Sequence, residues 1–405
     1  MDTIQICNIG PIRDTGKIAI TPVLLFVGKQ SSGKSTVMKI ISYCRWFEKK
    51  LMVSGNDLLY QYTHYLRFYK ELKRFHRMDD SFFSEESFIT YESDMIRITL
   101  NGVKSNVKVE RKVGFSQNRY NSKLSFIPSE RNLVSAIKNI DRAYRSNELD
   151  SLFNFIFEWG EARENYTTSN PLELKVADNM QYFYNQKDGS DSIRLTDINQ
   201  SFSTFYASSG VQSALPVEVM ANYLTAIVGT SANVTKNSLQ QLLQNILEEN
   251  RSETLDLDKL RKNEVLRVLN YQNIQLFIEE PEQNLYPESQ KQLVLSLVSA
   301  VKQAADKTSH NSYLTLTTHS PYVVSTLNVL MKAAEAFKAD PMATAESVPA
   351  AYILPPGSIS AYYINEGVLT PLLDDEINMI SGVEMDSVSD WVDDKIERLN
   401  EIIYG

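Results

Sequence analysis

Short apolar runs separated by turn residues open the chain. Residues 4–9, 17–20 and 23–27 have the composition of strands, and Gly, Pro and Asp divide them. The third run, VLLFV, is uninterrupted, which is typical of a strand buried on both faces. Residues 34–50 then repeat apolar side chains at helical spacing. We therefore predict a buried strand, a glycine-rich turn and a helix.

The second half of the chain repeats this strand–loop–helix order. Strands are predicted at residues 274–278 and 313–317. Helices are predicted at residues 210–228, 237–270, 290–301, from 321 onward, and 391–403. Such an order favours an α/β fold with a mainly parallel central sheet.

The middle of the chain has a different character. From residue 51 to residue 205, aromatic and charged residues mix, the core pattern weakens, and Asn101-Gly102 indicates a hairpin. We interpret residues 51–205 as a largely helical insertion, an arm or lid. Residues 1–50 and 206–405 would then form the main domain.

Composition indicates an ordinary globular protein of a reducing compartment. The net charge is −9 and the two cysteines provide no disulfide framework. The N-terminus lacks the pattern of a signal peptide and no apolar run is long enough for a membrane span, so we expect a cytoplasmic protein without a membrane partner. The acidic balance does not favour nucleic acid, although a local basic patch leaves it open. The densest basic residues, which we interpret as a solvated helix face, are Lys49, Lys50, Lys70, Lys73, Arg74 and Arg77.

The glycine-rich turn fits the G-x-x-x-x-G-K-[ST] pattern at residues 28–35, here called the P-loop. Backbone N–H groups of such a loop converge on phosphate oxygens, and the following helix adds its N-terminal dipole. Lys34 would reach the β- and γ-phosphates, and Ser35 would bind Mg²⁺. The predicted nucleotide-binding residues here are Gly28, Lys29, Ser31, Ser32, Gly33, Lys34, Ser35 and Thr36.

Two carboxylates follow the strand at 274–278. Adjacent acids that leave a buried strand can form a solvated acidic turn, but a P-loop upstream favours a catalytic reading. Glu279 would hold Mg²⁺, and Glu280 would polarise the attacking water as a general base or positioning group.

A histidine follows the strand at 313–317. A lone histidine in this place is more often structural, but the order of the motifs favours contact between His319 and the γ-phosphate.

Small residues precede the helix at 210–228. Ser208, Ser209 and Gly210 suit an ordinary helix cap, and equally an anion site at a helix N-terminus.

These motifs together resemble the heads of ABC-type P-loop ATPases, within the branch of the SMC, RecF and OLD-like proteins. The resemblance covers about the first fifty and the last two hundred residues. The segment SSGVQ stands where transporter heads carry LSGGQ, and Glu279 stands where Asp is usual; both variants resemble the standalone AAA-type ATPases of defence systems. The resemblance assigns no Q-loop glutamine.

The resemblance implies a set of further expectations. The fold would include an antiparallel β-lobe, and two heads would form a homodimer with ATP between the P-loop of one and Ser209 and Gly210 of the other. Residues 125–131 are similar to a strand and loop of those ATPases, so Arg131 would approach a phosphate or the partner; a surface arginine at a helix start is the alternative.

The main functional hypothesis is an Mg²⁺-dependent ATPase that acts as a switch or sensor subunit in antiphage defence or DNA transactions. A separate effector such as a nuclease would act with it, because the tail after His319 carries no nuclease or zinc pattern. The alternatives are a DNA-repair ATPase that clamps DNA directly and an ATP-binding scaffold with little turnover. A transporter head is disfavoured.

Overall fold

The computed structural model of the chain describes residues 1–54, 56–137, 140, 150–232, 265–374, 376–382 and 387–404. Most of the polar helix predicted at residues 237–270 lies outside these ranges. Among the helices that the model describes, none has the length and apolar character needed to cross a membrane.

Strands occur throughout the described chain and are labelled in chain order. They are β1 (Asp2–Ile9), β2 (Ile12–Asp14), β3 (Ile18–Ile20), β4 (Val23–Gly28), β5 (Phe83–Glu92), β6 (Ile96–Asn101), β7 (Lys108–Arg111), β8 (Asn121–Ile127), β9 (Leu172–Glu173), β10 (Met180–Asn185), β11 (Ser190–Leu195), β12 (Gln200–Ser203), β13 (Tyr271–Glu279), β14 (Tyr313–Thr318), β15 (Ile359–Asn365), β16 (Val368–Pro371), β17 (Leu373–Asp374) and β18 (Met379–Ile380). The strands predicted at residues 4–9, 23–27, 274–278 and 313–317 are confirmed.

The α-helices are labelled in the same way. They are α1 (Lys34–Val53), α2 (Asn56–Tyr62), α3 (Arg67–Phe75), α4 (Leu133–Ala136), α5 (Ser151–Arg163), α6 (Ser209–Ile227), α7 (Pro287–Asp306), α8 (Pro321–Ala339), α9 (Pro341–Ser347) and α10 (Ser387–Tyr404). The helices predicted at residues 34–50, 210–228 and 290–301, from 321, and at 391–403 are confirmed.

Parallel strands form the centre of the main sheet, in the order β15-β4-β14-β13-β8. The register places Val27 beside Thr318 and Glu279 beside Thr317. The carboxyl ends of β4, β13 and β14 therefore lie together at one edge of the sheet. The predicted α/β class with a parallel centre is confirmed.

Helices cover both faces of this parallel centre. All residues of β4 are buried, as its uninterrupted apolar run predicts. Val23, Leu25 and Val27 belong to the core formed with α6, α7 and α8, whereas Leu24 and Phe26 belong to the core formed with α1. The result is three layers, with the sheet between two helical layers.

An antiparallel lobe continues the same sheet. Strand β16 pairs antiparallel with β15 and has one bridge to β2, and β1 pairs antiparallel with β2, β3 and β5. Strands β5, β6 and β7 then extend the lobe to its edge. The predicted antiparallel lobe is confirmed, although the sequence did not show which strands form it.

The segment 51–205 differs from the predicted helical insertion. Its strands β5, β6 and β7 belong to the antiparallel lobe, β8 is the last parallel strand, and β9 to β12 form a separate antiparallel sheet. Every second residue of β6 is buried, from Ile96 to Leu100, while the residues between them are charged or polar. The hairpin indicated by Asn101-Gly102 is confirmed, since β6 ends at Asn101 and pairs antiparallel with β7. Because one face of these strands meets solvent, their apolar content is low, and β5 was not recognised from the sequence.

The turn between β15 and β16 packs against the turn between β1 and β2. The carbonyl oxygen of Gly367 accepts a 2.8 Å hydrogen bond from the N–H of Arg13. Gly367 has a φ of +79°, and a Cβ there would clash with the carbonyl oxygen of Pro11 and lie 2.8 Å from the Arg13 nitrogen. The close approach brings the lobe to the P-loop, because Ile12 in turn contacts Gly33.

We predict that Gly367→Ala destabilises the protein more than the matched substitution Gly357→Ala. Gly357 also has a positive φ, +75°, but no atom lies within 4 Å of the Cβ that alanine would add. Gly357→Ala should therefore lower the free energy of unfolding only by the cost of a positive φ for alanine, about 1–2 kcal/mol. Gly367→Ala should cost a further ~1–3 kcal/mol because backbone atoms must move apart. Urea unfolding of the two variants measures the difference, and equal losses would contradict the proposed packing.

Candidate functional site

The P-loop connects the end of β4 to the beginning of α1, as predicted. Gly28 is the last residue of β4, and Gly33 stands immediately before α1 with a φ of 106°. Ser31 also has a positive φ, 59°. The loop therefore curls back on itself at the N-terminus of a helix, an arrangement that turns backbone N–H groups toward an anion.

Lys34 is buried at the base of the P-loop. Its ammonium group donates hydrogen bonds of 2.8 Å to the carbonyl oxygens of Gly28 and Lys29. Burial lowers the pKa of Lys34 to about 8, while the charges of Glu280 and Glu282 oppose this shift. The lysine therefore remains mostly protonated at neutral pH, and its charge faces a negative edge of the sheet.

Glu280 and His319 form a direct pair beside this lysine. The Nε2 of His319 lies 3.0 Å from the Oε1 of Glu280, and its Nδ1 lies 3.5 Å from the Nζ of Lys34. An ionised carboxylate only accepts and an ammonium only donates, so the contacts fit a neutral histidine that carries its proton on Nε2. The hydrogen bond from His319 lowers the pKa of Glu280, so this carboxylate is ionised at neutral pH.

The backbone holds Glu280 in a specific direction. Its φ is 44°, outside the strand geometry of β13, and its N–H donates a 3.0 Å hydrogen bond to the carbonyl oxygen of Thr317. This bond ties the end of β13 to the end of β14. The strained backbone turns the side chain toward His319 and not along the strand.

Glu279 has the environment expected of a metal ligand. It is buried, and its Oε2 accepts a 3.2 Å hydrogen bond from the N–H of Ser129. Its Oε1 is buried and has no hydrogen-bond partner among the described residues. A buried carboxylate oxygen without a partner is costly and suits a hard cation such as Mg²⁺. The unpartnered oxygen of Glu279 therefore fits magnesium, and the predicted second ligand, the hydroxyl of Ser35, is also an oxygen donor.

Glu282 organises the histidine loop, a role that the sequence did not reveal. Its Oε1 accepts hydrogen bonds of 2.7 Å from the hydroxyl of Thr318 and 2.6 Å from the N–H of His319. The carboxylate thus fixes the backbone that carries His319. The only sequence signal was its place two residues after Glu280, which does not show its partners.

Arg131 is fully buried, so the alternative of a surface arginine at a helix start is wrong. Its approach to a phosphate or to a partner subunit stays a prediction. Its Nε donates to the carbonyl oxygen of Ser213, Nη1 to that of Glu279 and Nη2 to that of Glu280, at 2.9, 2.6 and 2.6 Å. The turn after β8 brings the guanidinium beneath the end of β13, away from the surface. Burial lowers the pKa of Arg131 only to about 10, and nearby carboxylates oppose that shift. It is therefore charged at neutral pH.

Ser209 and Gly210 lie on the other side of this arginine, at the start of α6. The hydroxyl of Ser208 caps the helix by accepting a 3.4 Å hydrogen bond from the N–H of Val211. A Cβ at Gly210 would lie 2.8 Å from the carbonyl oxygen of Asn284. Among the described residues, no hydrogen bond joins Ser209 or Gly210 to the P-loop. The structure thus brings Lys34, Glu280 and His319 together and leaves this pair apart.

Comparisons with known proteins give weak similarity. No protein-family model matches the sequence, and no curated protein matches it. Solved structures include the SMC head domain from Thermotoga maritima, with 10% identity and a TM-score of 0.36 over 91% of this chain and 97% of that one. An SMC head bound to the C-terminal winged-helix domain of ScpA has 9% identity and a TM-score of 0.37, over 91% and 95%. RecF, a recombination mediator protein, has 12% identity and a TM-score of 0.30, over 91% and 97%. At such low identities and TM-scores, the similarities support no argument about activity. Any such argument has to come from the geometry of the site described above.

We predict that Arg131→Lys destabilises the protein strongly. Lysine keeps the charge, but its compact ammonium cannot replace the planar guanidinium that reaches three separate carbonyl groups. Losing one or two of these buried hydrogen bonds should lower the free energy of unfolding by about 2–4 kcal/mol, measured by urea denaturation.

The control is Arg97→Lys, on the half-exposed face of β6, where the ion pairs with Glu92 and Glu110 contact solvent. It should change the free energy of unfolding by less than ~0.5 kcal/mol. A loss below about 1 kcal/mol in Arg131→Lys would show that the three carbonyls do not depend on the guanidinium.

Proposed function

We propose that this chain is a Mg²⁺-dependent ATPase whose bound nucleotide controls head-to-head dimerisation. The observation that carries this proposal is the connected set of Lys34, His319 and Glu280, joined at 3.5 and 3.0 Å where parallel strands end. A buried lysine on a P-loop and an ionised carboxylate beside it are the two charges that phosphoryl transfer requires.

Each residue has a role that follows from its surroundings. The backbone of residues 28–36 would cradle the phosphates, and the ammonium of Lys34 would exchange its loop carbonyls for the β- and γ-phosphate oxygens. Ser35 and Glu279 would hold Mg²⁺, which supplies charge neutralisation at the phosphates. The unpartnered Oε1 of Glu279 supports this assignment.

Glu280 is the group that would orient and polarise the attacking water. Its pKa is lowered by His319, so the carboxylate is available as an acceptor at neutral pH. His319, which is fixed by Glu282, would hold this carboxylate and contact the γ-phosphate. Loss of the γ-phosphate would then change the partners of His319, which makes the site a switch.

The proposed dimer is supported by the surroundings of Ser209 and Gly210. No hydrogen bond joins them to the P-loop of their own chain among the described residues, and Phe205 and Tyr206, which precede them in the chain, are exposed. Exposed aromatic side chains next to a helix N-terminus suit a surface that closes over a nucleotide on a second chain. We place the second half of each site there.

The biological role that we propose is a switch or sensor subunit in antiphage defence or DNA transactions, with a separate effector protein such as a nuclease. It is supported by the resemblance of the SSGVQ segment and Glu279 to standalone defence ATPases. Identification of the protein that co-purifies with the full chain tests this part of the proposal.

We predict that Glu280→Gln lowers the rate of ATP hydrolysis by at least about 100-fold, because glutamine cannot accept the proton of the attacking water. ATP binding should remain, since Glu280 does not contribute to the P-loop. Phosphate release measures hydrolysis, and calorimetry measures binding. With hydrolysis blocked, light scattering should show a dimer in the presence of MgATP and a monomer without it.

The matched control is Glu280→Gln combined with Ser209→Arg. It should bind ATP with unchanged affinity, because no hydrogen bond joins Ser209 to the P-loop of its own chain among the described residues, but it should stay monomeric. Phosphate release from Glu280→Gln at the rate of the unchanged protein would contradict the catalytic assignment. A dimer that persists in the double variant would contradict the placement of Ser209 at the interface.

A further inference from the structure

A second cavity lies on the opposite end of α1 from the P-loop. It has a volume of about 390 Å³, and residues of α1, α3, α5, β8 and β13 line it. We call it the α1 cavity. Trp46, in its wall, is thirteen residues beyond Gly33, which corresponds to about 20 Å along a helix at 1.5 Å per residue. The cavity is therefore separate from the proposed ATP site.

The basic residues noted in the sequence divide into two groups. Lys73 pairs with Asp80 and Arg77 pairs with Asp150, as expected of a solvated helix face. Lys49, Lys50 and Arg74 instead line the α1 cavity, together with Lys123 of β8. The sequence could not show this, because residues from three separate segments meet there.

The carboxylates of the cavity wall already have partners. Glu158 accepts from Lys123 at 2.8 Å and from the hydroxyl of Ser125 at 2.6 Å. Glu71 accepts from Arg67 at 2.7 Å, and from the hydroxyl of Tyr62. The negative charges on the wall are thus engaged by other groups.

Three cations of the wall have no such partner. Within the described ranges, Lys49, Lys50 and Arg74 form no hydrogen bond or ion pair through their side chains. Lys49 Nζ lies 5.7 Å from the ring centroid of Tyr271, and Lys50 Nζ lies 5.1 Å from that of Trp46. In a chain whose net charge is −9, three cations around one cavity that lack a carboxylate partner mark a place for an anion.

The charge of Lys49 is costly in this position. Burial and then the nearby charge of Lys123 lower the pKa of Lys49 to about 8. A bound anion would offset both effects, because it would pair with the ammonium and neutralise the repulsion between the lysines.

His76 is a fully buried polar residue of the cavity wall. Burial lowers its pKa well below the ordinary value, and its Nε2 lies 3.1 Å from the hydroxyl of Ser42. That hydroxyl donates to the carbonyl oxygen of Lys39 at 2.8 Å, so it accepts from Nε2–H. The Nδ1 of His76 is then an acceptor, and it has no partner among the described residues. Trp46 and Phe75 add flat ring surfaces to the same wall.

We propose that the α1 cavity binds a nucleoside phosphate as a second ligand, distinct from the ATP of the P-loop. The phosphate would contact Lys49, Lys50 and Arg74, and the base would lie against Trp46. The volume falls within the range of small-molecule sites, about 300–1,000 Å³.

The fluorescence of Trp46 provides a direct test. Of the three tryptophans of the chain, Trp159 is fully buried and Trp391 is exposed on α10. The experiment uses the full-length Trp391→Phe protein with its P-loop saturated by MgATPγS. Four mononucleotides are titrated into it separately: AMP, GMP, CMP and UMP. Inorganic phosphate is titrated in the same way for comparison. At least one nucleotide should change the emission saturably, with a Kd at least tenfold lower than that of inorganic phosphate.

The variant Lys49→Met with Arg74→Gln should weaken this Kd at least tenfold. Lys70→Gln, which removes an exposed charge of α3 outside the cavity, is the matched control and should leave the Kd unchanged. If the double variant does not fold, Arg74→Gln alone is used, because Arg74 is exposed. These variants locate the binding even if ATPγS does not fill the P-loop. Any of three results would overturn the proposal. The emission of Trp46 shows no saturable change with any nucleotide, the nucleotides bind no more tightly than inorganic phosphate, or the cavity variants bind the nucleotide with unchanged affinity.

Discussion

The hydrogen bonds of one buried arginine hold the site together. Arg131 follows β8, and its guanidinium contacts the carbonyl groups of Glu279, the last residue of β13, of Glu280 after it, and of Ser213 in α6. Carbonyl groups at a strand end have no ladder partner, and burying them without donors would be costly. The arginine removes that cost, so it determines where the two carboxylates and the start of α6 stand relative to each other.

The sheet provides the second constraint. Because β4, β14 and β13 are parallel neighbours, Lys34, His319 and Glu280 reach the same edge from segments far apart in the chain. The lobe of antiparallel strands supports this edge from outside, since the turn at Gly367 packs on the β1–β2 turn that contacts Gly33. Side-chain contacts then connect the residues of this edge. His319 lies between the buried Lys34 and the ionised Glu280 and forms a hydrogen-bond contact with each of them.

Local patterns predicted the elements whose signals lie within a few residues. The P-loop and the carboxylates after β13 are examples, because a buried strand followed by glycine or acidic residues is visible in the sequence. The Asn101-Gly102 signal indicated the hairpin of β6 and β7. Strand β5 was missed because one of its faces meets solvent, which mixes charged residues with the apolar ones. The burial of Arg131 and the contacts of Glu282 were also missed. Both depend on pairing between residues far apart in the chain, 148 positions in the case of Arg131 and Glu279, and no local pattern encodes that proximity.

The central claim is that the P-loop binds nucleotide through Lys34, and calorimetry tests it most directly. Titration of the unchanged protein with MgATPγS should show a high-affinity phase of one nucleotide per chain. Lys34→Met should weaken the Kd of this phase by at least about 100-fold, because a buried ammonium would no longer meet the phosphates. Removing Mg²⁺ with EDTA should weaken binding as well. Equal affinity of the unchanged protein and Lys34→Met, or no binding by either, would contradict the account.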